Sequence, residues 1–433
     1  MGKYRELIKE KIEKLKESGA FHIIVGSFLT KFVSFFGSIF IVRFLTKSEY
    51  GILGYYENFM GYFLILAGYG LDTATLRYIV LADDAAGKKA CYLNAFRKGT
   101  AWNAVLLALS ALFLFFYPHK EAFAHQFPVA LCLVGCIPFI FLQNVSLCTM
   151  RGLYENRLYA YIAFGIAFLQ IAARVLGAAA GGLRLTVTTR FLAEMLCGAG
   201  CVIFVLKRLF PFRSSETMEK KSAHEMNVYA VQIMLTNGLW TIFMLNDIFL
   251  LGQFTGDEVI LADYKIAYVI PANLSILVAA VGVFVAPYFT KYDKEKNYAW
   301  IREKLKLVLL ITSSIMAAVV MVCFVLAKPL ICLIFGSEYV TAVPVMRLLL
   351  IASFFNNGVR ATIANVLSSI GEQKTNLIVA GFGMAIQIVL DCLLIPTFGG
   401  TGVAISSTIA YLFMSLALGS VIWKRYYANR AQA

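Results

Sequence analysis

The amino-acid sequence predicts an all-α membrane protein of about twelve transmembrane helices, arranged as two six-helix bundles with both termini in the cytoplasm. Three observations lead to this prediction: an apolar composition, an uneven distribution of basic residues, and an internal repeat. Of the 433 residues, 60% are hydrophobic and only 15% are charged, with a mean hydropathy of +0.74. So few charges do not cover a water-facing surface, so lipid must be the main solvent.

Apolar stretches long enough to cross a bilayer, about 20 residues each, recur along the whole chain. The first is too long for the hydrophobic region of a cleaved signal peptide, so we expect a retained helix. Residues 1–20 before it predict an amphipathic segment on the cytoplasmic leaflet or a solvated helical tail. The predicted spans are 21–45, 50–82, 98–117, 127–148, 158–181, 185–208, 227–251, 262–289, 305–327, 340–369, 375–396 and 401–423.

The placement of the basic residues predicts the orientation. The formal net charge is +14, from 39 basic and 25 acidic residues. If both termini are cytoplasmic, the inward segments carry 27 Lys and Arg residues and the outward segments carry 5. This asymmetry follows the positive-inside rule. It also argues against nucleic-acid binding, because basic cytoplasmic loops face anionic lipid headgroups.

The two halves of the chain resemble each other at an offset of 209 to 218 positions. This repeat predicts bundles at 21–208 and 227–425, a linker at 209–226 and a tail at 426–433, with cargo bound between the halves. The matching positions are Thr46 and Glu49 with Thr255 and Glu258, Tyr55 with Tyr264, Arg157 with Lys374, Gln170 with Gln387, Gly181–Gly182 with Gly399–Gly400, and Lys207–Arg208 with Lys424–Arg425.

Covalent chemistry has no evident site in this sequence. We find no phosphate-binding GxxxxGK[ST] loop and no CxxC pair. No connection is long enough for a soluble catalytic domain, and the four histidines lie outside or at the ends of the predicted spans. We therefore expect no enzyme activity, no catalytic residue, no metal and no cofactor.

Charged residues deep in the predicted helices are the candidate site. Each central charge costs about 2.5 to 3.5 kcal/mol on insertion scales, so it needs a function or a partner. Lys31, Arg174 and Arg360 lie deep in their helices and predict a cationic cavity that attracts a pyrophosphate-linked sugar. The alternative is internal pairing, and the sequence offers two pairs: Arg190 with Glu194, and Arg174 with Asp391.

Three acids and a group of tyrosines are further candidates. Asp247, Glu57 and Asp263 are the acids available to carry a coupling proton or sodium ion. The tyrosines predict either stacking on sugar rings or, more simply, packing and an interfacial belt. They are Tyr50, Tyr55, Tyr56, Tyr62, Tyr69, Tyr264 and Tyr268.

Several segments together resemble the O-antigen and polysaccharide flippases of the multidrug/oligosaccharidyl-lipid/polysaccharide (MOP) exporter superfamily. The longest is KPLICLIFGSEY at 328–339, before the tenth predicted helix. The others are LTKSEYG at 45–51, DIFLLG at 247–252, Pro287, and LIPTFGGTGVA at 394–404. The resemblance extends over essentially the whole chain.

This resemblance implies a V-shaped pair of bundles in a bacterial inner membrane and alternating access to a cationic central cavity. The implied cargo is an undecaprenyl-pyrophosphate-linked oligosaccharide for O-antigen, capsule or exopolysaccharide synthesis. Membrane lipids, a polysaccharide polymerase and chain-length machinery are the implied partners. Two other functions stay open: an ion-coupled drug or metabolite exporter of the same superfamily and, less favoured, a membrane-embedded sugar polymerase.

Overall fold

The computed structural model describes residues 20–211 and 217–427, which form helices and, within these segments, no strand. The all-α prediction is therefore confirmed. The chain divides into two compact units, the first ending at Leu245 and the second beginning at Asn246. This division falls inside a helix, whereas the sequence predicts a linker at 209–226. Apart from Ala20, the predicted amphipathic segment lies outside the described residues.

The first unit contains eight helices and the start of a ninth. The connection between α2 and α3 is a 3₁₀ turn, and α8 continues into a short π-helix. The helices are α1 (Ala20–Phe44), α2 (Lys47–Leu66), α3 (Leu71–Leu81), α4 (Ala85–Phe116), α5 (Glu121–Ala124), α6 (Phe127–Gly135), α7 (Ile137–Gly152), α8 (Asn156–Phe204) and α9 (Lys220–Thr255).

The second unit contains the end of α9 and eight further helices. A 3₁₀ turn at Ser337–Ala342 precedes α14, and a π-helix at Phe354–Arg360 follows it. The helices are α10 (Glu258–Asn273), α11 (Ser275–Lys294), α12 (Tyr298–Val325), α13 (Ala327–Ile334), α14 (Val343–Ser353), α15 (Ala361–Ser369), α16 (Gln373–Phe398) and α17 (Gly400–Tyr426).

Nine helical stretches in the described segments are long and apolar enough to cross a membrane, and a bent pair within α9 makes ten. The predicted spans 158–181 and 185–208 count once, because both belong to α8. However, α8 is not straight. Gly181 and Gly182 have non-helical dihedral angles, and Gly177 contacts Thr186 and Thr189. The chain therefore reverses at these glycines, which gives α8 the two arms that the sequence predicts.

The predicted single span 50–82 is broken at Gly68 to Gly70, where all three residues have positive φ. Gly70 needs the absence of a side chain, because a Cβ atom would lie 2.3 Å from the carbonyl oxygen of Ala230. The amide of Gly68 donates to Asn103 Oδ1 at 3.0 Å, so the broken turn does not leave it unpaired. Close helix packing thus interrupts an otherwise apolar helix.

Both units pack apolar side chains in their interiors. In a bilayer these contacts act through close packing rather than through removal of surface from water. Small residues allow close approach: Gly37 of α1 lies against Ile171 of α8, where a Cβ atom would be 2.0 Å from the isoleucine Cγ2. One interior cluster of the first unit includes Leu71, Tyr92, Phe141, Val145 and Met226, and one of the second includes Phe289, Ile301, Leu305, Leu367 and Leu418.

The second helix of each half, α2 in the first and α10 in the second, begins differently, although the sequence aligns Thr46 with Thr255. Thr46 caps α2 in a capping box with Glu49. In the second unit, Asp257 caps α10. Its Oδ1 accepts hydrogen bonds from the amides of Val259 at 2.7 Å and Ile260 at 3.2 Å. The aligned residues therefore share a place in the sequence, but the capping role has moved to Asp257.

Candidate functional site

The first unit holds an acid between two arginines. Glu57 lies on α2, and Arg174 and Arg190 lie on the two arms of α8, before and after the turn at Gly182. One oxygen, Glu57 Oε1, accepts hydrogen bonds from Arg174 Nη2 at 2.6 Å and from Arg190 Nη1 at 2.7 Å. The three side chains are only 12 to 21% exposed. Removing ions from water is costly, so this pairing stabilises all three charges.

Two glutamines satisfy a second acid in the same unit. Glu194 Oε2 accepts hydrogen bonds from Nε2 of Gln143 at 2.7 Å and from Nε2 of Gln170 at 2.6 Å. Gln170 Nε2 also lies 2.9 Å from Gln143 Oε1, so the three side chains form one network. We call the following residues the first-unit cluster: Glu57, Gln143, Gln170, Arg174, Arg190 and Glu194.

These contacts correct both predicted ion pairs. Arg190 pairs with Glu57 rather than with Glu194, although Glu194 lies one helical turn away on the same arm. Arg174, which the sequence linked with Asp391, also pairs with Glu57. The physical reason is that α2 brings a carboxylate between the two arms of α8. A spacing of four residues along one helix cannot reveal a partner on another helix.

The second unit holds Asp247 among neutral donors. Asp247 Oδ2 accepts from the Tyr264 hydroxyl at 2.6 Å, and Oδ1 accepts from Gln387 Nε2 at 2.6 Å. Ser407 adds a longer hydrogen bond to Oδ2 at 3.4 Å. Neutral donors stabilise an acid less than a cation does.

Asp391 completes this arrangement. It lies on α16 one turn after Gln387 and is fully buried. Within the described segments, neither carboxyl oxygen of Asp391 has a hydrogen-bond partner, nor does Gln387 Oε1. The hydroxyl of nearby Ser406 donates to the carbonyl of Gly402 instead. We call the following residues the second-unit cluster: Asp247, Tyr264, Gln387, Asp391 and Ser407.

Three members of each cluster occupy matching positions of the internal repeat. The repeat matches Gln170 with Gln387 at an offset of 217, and Arg174 and Asp391 are separated by the same offset. Three more pairs of residues in or beside the two clusters follow this offset, which is the signal that would have found them. The pairs are Gln143 with Arg360, Gln170 with Gln387, Arg174 with Asp391, Arg190 with Ser407, and Glu194 with Tyr411.

Arg360 lies at the end of the π-helix in the second unit, half-buried. Its Nε donates to Asn356 Oδ1 at 2.7 Å, and its guanidinium carbon lies 5.9 Å from the centre of the Tyr411 ring. The repeat-equivalent residues Gln143 and Glu194 also contact each other. π-helical turns frequently mark functional positions in helices.

Lys31 lies on α1 with its side chain exposed. Among the residues that the structure describes, it has no ion-pair or hydrogen-bond partner. Its neighbours Phe28 and Phe32 are 61% and 50% exposed. A lysine this deep in an apolar helix is costly, and an anionic partner would stabilise it.

The remaining candidates lie elsewhere. Asp263, on α10, accepts a hydrogen bond from the Thr341 hydroxyl at 2.7 Å.

Among the candidate tyrosines, Tyr55 has a packing role. It is buried and stacks on Phe123 with ring centres 3.9 Å apart. Its hydroxyl contacts His119, whose pKa is lowered by burial. In the described segments, no three His, Cys, Asp or Glu side chains lie close enough together to hold a metal ion.

Comparison with known proteins supports the assignment of the fold. The structure is similar to the lipid II flippase MurJ in an inward closed conformation, with a TM-score of 0.70 and 16% identity over 92% of this chain and 87% of that one. It is also similar to an inward-facing multidrug resistance MATE family transporter of the MOP superfamily, with a TM-score of 0.73 and 16% identity over 93% of this chain and 96% of that one.

Sequence comparison adds a family and one relative. The uncharacterized membrane protein MJ1068 of Methanocaldococcus jannaschii is 25% identical over 218 residues, which are 48% of this chain and 42% of that protein. The match thus spans less than half of that relative. The polysaccharide biosynthesis protein family matches residues 18–293.

The chain is a multi-pass membrane protein, and its fold is the one shared by the lipid II flippase and by the MATE family transporter of the MOP superfamily to which it is similar. More particularly, the chain belongs to the polysaccharide biosynthesis protein family, whose match covers more than half of it. The predicted fold and family are confirmed. The orientation of the termini stays a prediction.

Proposed function

We propose that this protein moves an undecaprenyl-pyrophosphate-linked oligosaccharide from the cytoplasmic to the outer leaflet of a bacterial inner membrane. The observation that carries the proposal is the set of cations in the first unit's membrane helices. Two guanidinium groups share one oxygen of Glu57, and Lys31 is exposed on α1. A pyrophosphate carries the opposite charge, and it interacts strongly with such groups where water is scarce.

Lys31 is the residue that we expect to contact the cargo most directly. Its exposed side chain has no partner within the described chain, whereas Arg174 and Arg190 already share a carboxylate. Arg360 contributes positive charge in the second unit, beside the Tyr411 ring. The transport cycle expected for this fold is alternating access.

We further propose that the second-unit cluster takes up the coupling ion, a proton or a small monovalent cation. The support is the row of acceptor oxygens without donors on Asp391 and Gln387, beside the carboxylate of Asp247. Buried oxygen acceptors are costly when unpaired and suit a proton or a hard cation. Glu57 is a weaker candidate because two arginines already neutralise it.

A second function, ion-coupled export of a drug or metabolite, is favoured by one observation. The similarity to MATE transporters covers as much of the chain as the similarity to the flippase. A cationic drug would need an acid exposed to it, whereas Lys31, an exposed intramembrane side chain of the first unit, is a cation. We therefore place the flippase first.

The test is to deplete the protein in its native host and measure both the cytoplasmic-side lipid-linked intermediate and the surface polysaccharide. Complementation uses the wild type, Lys31→Ala, Lys31→Arg, and a matched control, Lys120→Ala, in a predicted outward loop. We expect the wild type, Lys31→Arg and Lys120→Ala to remove the accumulated intermediate. Lys31→Ala should fail, with normal membrane levels of the protein.

Different outcomes select different functions. Accumulation that no plasmid relieves, or no accumulation at all, argues against the flippase. Unchanged polysaccharide together with increased drug sensitivity would instead establish the exporter. Loss of Lys31→Ala from the membrane would make Lys31 a structural residue. If the polymerase or chain-length proteins are partners, the intermediate should also accumulate, on the outer side, when they are removed.

A further inference from the structure

Two helix ends of the second unit meet at a pair of stacked aromatic rings. Trp423, in the last turn of α17, and Tyr427, just after that helix, have ring centres 4.8 Å apart and an angle of 7° between their planes. The Tyr427 hydroxyl donates to the carbonyl of Arg302, near the start of α12, at 3.1 Å. The Trp423 side chain is 61% exposed, so much of this stack is open to contact from outside the bundle.

Three cations accompany the stacked rings. Lys306 Nζ lies 5.6 Å from the centre of the Tyr427 ring, and Arg302 is one turn before Lys306 on the same face of α12. Burial raises the pKa of Tyr427, and the nearby positive charge of Arg302 opposes this shift. Lys424 lies three residues before Tyr427, on the same side of α17. We call the following residues the basic aromatic patch: Arg302, Lys306, Trp423, Lys424 and Tyr427.

The acids at this end of the second unit pair with other cations. Within the segments that the structure describes, none of the three cations of the patch forms an ion pair. The patch therefore carries positive charge that these segments do not neutralise. The pairs that do form are Arg425 with Glu372 and with Asp293, Lys304 with Glu303, and Lys291 with Glu295.

The ion pairs of Arg425 lie on another side of α17. Successive helical residues are about 100° apart, so Arg425 is nearly opposite to Trp423 and Tyr427 around the helix. Asp293, at the end of α11, lies 3.6 Å from Arg425 and thus faces that other side. The carboxylate of Asp293 therefore leaves the charge of the patch available to an external anion.

The patch lies at the edge of two membrane-spanning segments. Both α12 and α17 are long and apolar enough to cross a membrane. The predicted spans 305–327 and 401–423 begin and end at the patch, on the side that the distribution of Lys and Arg predicts to be cytoplasmic. Trp and Tyr are enriched at this depth, level with the lipid headgroups.

This combination of groups fits the headgroup of an anionic phospholipid. Anionic lipids give the cytoplasmic leaflet its negative surface potential, and a phosphate oxygen accepts charge-assisted hydrogen bonds from guanidinium and ammonium groups. The exposed indole of Trp423 offers an apolar face to the glycerol backbone and the first acyl carbons. A free phosphate ion has no apolar part to use that face, so the patch favours a lipid.

We propose that the basic aromatic patch binds the headgroup of an anionic phospholipid of the cytoplasmic leaflet. The phosphate lies among Arg302, Lys306 and Lys424, and the start of the acyl chains lies against Trp423. The bound lipid holds the ends of α12 and α17 together by charge. This inference goes beyond the proposed transport function, because the ligand is a lipid of the surrounding bilayer rather than the cargo.

The experiment uses Trp423 as the reporter. The purified full-length protein is reconstituted into phosphatidylcholine vesicles containing a minor fraction of brominated lipid, either phosphatidylglycerol or phosphatidylcholine. Bromine on the acyl chains quenches the fluorescence of a neighbouring indole. Subtracting the signal of the matching Trp423→Phe protein isolates the quenching of Trp423. The measured quantity is the ratio of quenching by phosphatidylglycerol to quenching by phosphatidylcholine.

The test variant combines Lys306→Gln with Lys424→Gln, and the matched control combines Lys291→Gln with Lys294→Gln. The control removes the same charge from exposed lysines at the end of α11, on the same predicted side. One cation near the surface changes the affinity for anionic lipid about fivefold. We therefore expect a ratio of about five or more for the wild type and the control, and a ratio near unity for the test variant.

Three results would overturn the proposal. The first is a ratio near unity for the wild type, and the second is a test variant that keeps the wild-type ratio. The third is an equal fall in the control, because the preference would then follow the total charge of that side. Inorganic phosphate, compared with chloride at equal ionic strength, should leave the wild-type ratio unchanged. If inorganic phosphate abolishes the preference, the patch is a site for free phosphate and not for a lipid.

Discussion

The first-unit and second-unit clusters share three equivalent positions of one repeat, yet their charges differ. The first-unit cluster contains two arginines and two acids, and Glu57 accepts hydrogen bonds from both guanidinium groups. In the second, Asp391 replaces the repeat-equivalent Arg174, and neutral side chains surround Asp247. Within the described segments, no Lys or Arg pairs with either acid of the second cluster.

This difference teaches how a duplicated architecture can divide its tasks. A cluster with its own counter-charges gains less from an external ion, so we expect the first-unit cluster to contribute mainly to holding its helices together. A cluster whose acceptor oxygens lack donors gains from whatever proton or cation it takes up, by an amount that depends on concentration. Changing equivalent positions should therefore have unlike effects in the two units.

The largest expected effect is on Glu57. Glu57→Ala leaves two mostly buried guanidinium groups without their shared carboxylate, which should lower the free energy of unfolding by about 3–5 kcal/mol. Denaturant titration of the purified protein in detergent measures this. Glu121→Ala is the control, because that residue is an exposed acid. A Glu57→Ala protein as stable as the control would mean that the first-unit cluster does not support the fold.

The turn glycines compare the units at a second pair of positions. Gly182 has φ 65° and Gly399 has φ 54°. An added Cβ atom would lie 2.6 Å from Glu49 Oε1 at Gly182, but 3.8 Å from its nearest neighbour, Ile260, at Gly399. We expect Gly182→Ala to cost about 2–3 kcal/mol and Gly399→Ala about 1–2 kcal/mol, mainly from backbone strain.

Thermal unfolding of both glycine variants, measured beside the wild type, checks this order. Glu49 Oε1 also accepts a hydrogen bond from the amide of Leu183 at 3.0 Å, so displacing Glu49 loosens the turn itself. If Gly399→Ala is the more damaging variant, the contact of Gly182 with Glu49 does not matter for stability.

Substituting the repeat-equivalent glutamines, Gln170 and Gln387, should change stability less than substituting the turn glycines. Gln170→Ala removes a hydrogen bond to the Glu194 carboxyl and should cost about 1.5 kcal/mol. Gln387→Ala removes a bond to Asp247, but it also removes a buried oxygen that has no donor, so we expect a net cost of about 0.5–1 kcal/mol. Both values come from denaturant titration in a buffer without sodium. A larger loss of stability for Gln387→Ala than for Gln170→Ala would contradict the inference that the second-unit cluster contains acceptor oxygens without donors.

The smallest change in stability is expected for Asp391→Asn, close to zero without a bound cation, because the carboxyl has no hydrogen-bond partner to lose. Its effect appears on adding sodium or lowering the pH. A cation at a hundredfold excess over its Kd should stabilise the wild type by about 2.7 kcal/mol, and Asp391→Asn not at all. Asp257→Asn should respond as the wild type does. Equal responses of wild type and Asp391→Asn would exclude this coupling site.

Part of the candidate site was readable from the sequence. Gln170 and Gln387, and the paired turn glycines, stand at nearly the same offset, 217 and 218 positions, so the repeat indicated them. The charges of Glu57, Arg174, Arg190 and Asp247 drew attention because they are costly in lipid. Their partners were not predictable, because Glu57 meets the arginines only through packing between helices, and neighbours along one helix were the natural but wrong choice.

By itself the sequence determined the solvent, the helical class and the repeat, because composition and periodicity are local properties that lipid imposes on every spanning segment. Tertiary structure alone decided which charge neutralises which, where α2 breaks at Gly68 to Gly70, and which acceptor oxygens near Asp391 have no donor. Those outcomes depend on contacts between residues more than a hundred positions apart, as in the pair of Glu57 with Arg174. A linear pattern does not encode such distances until the chain has folded.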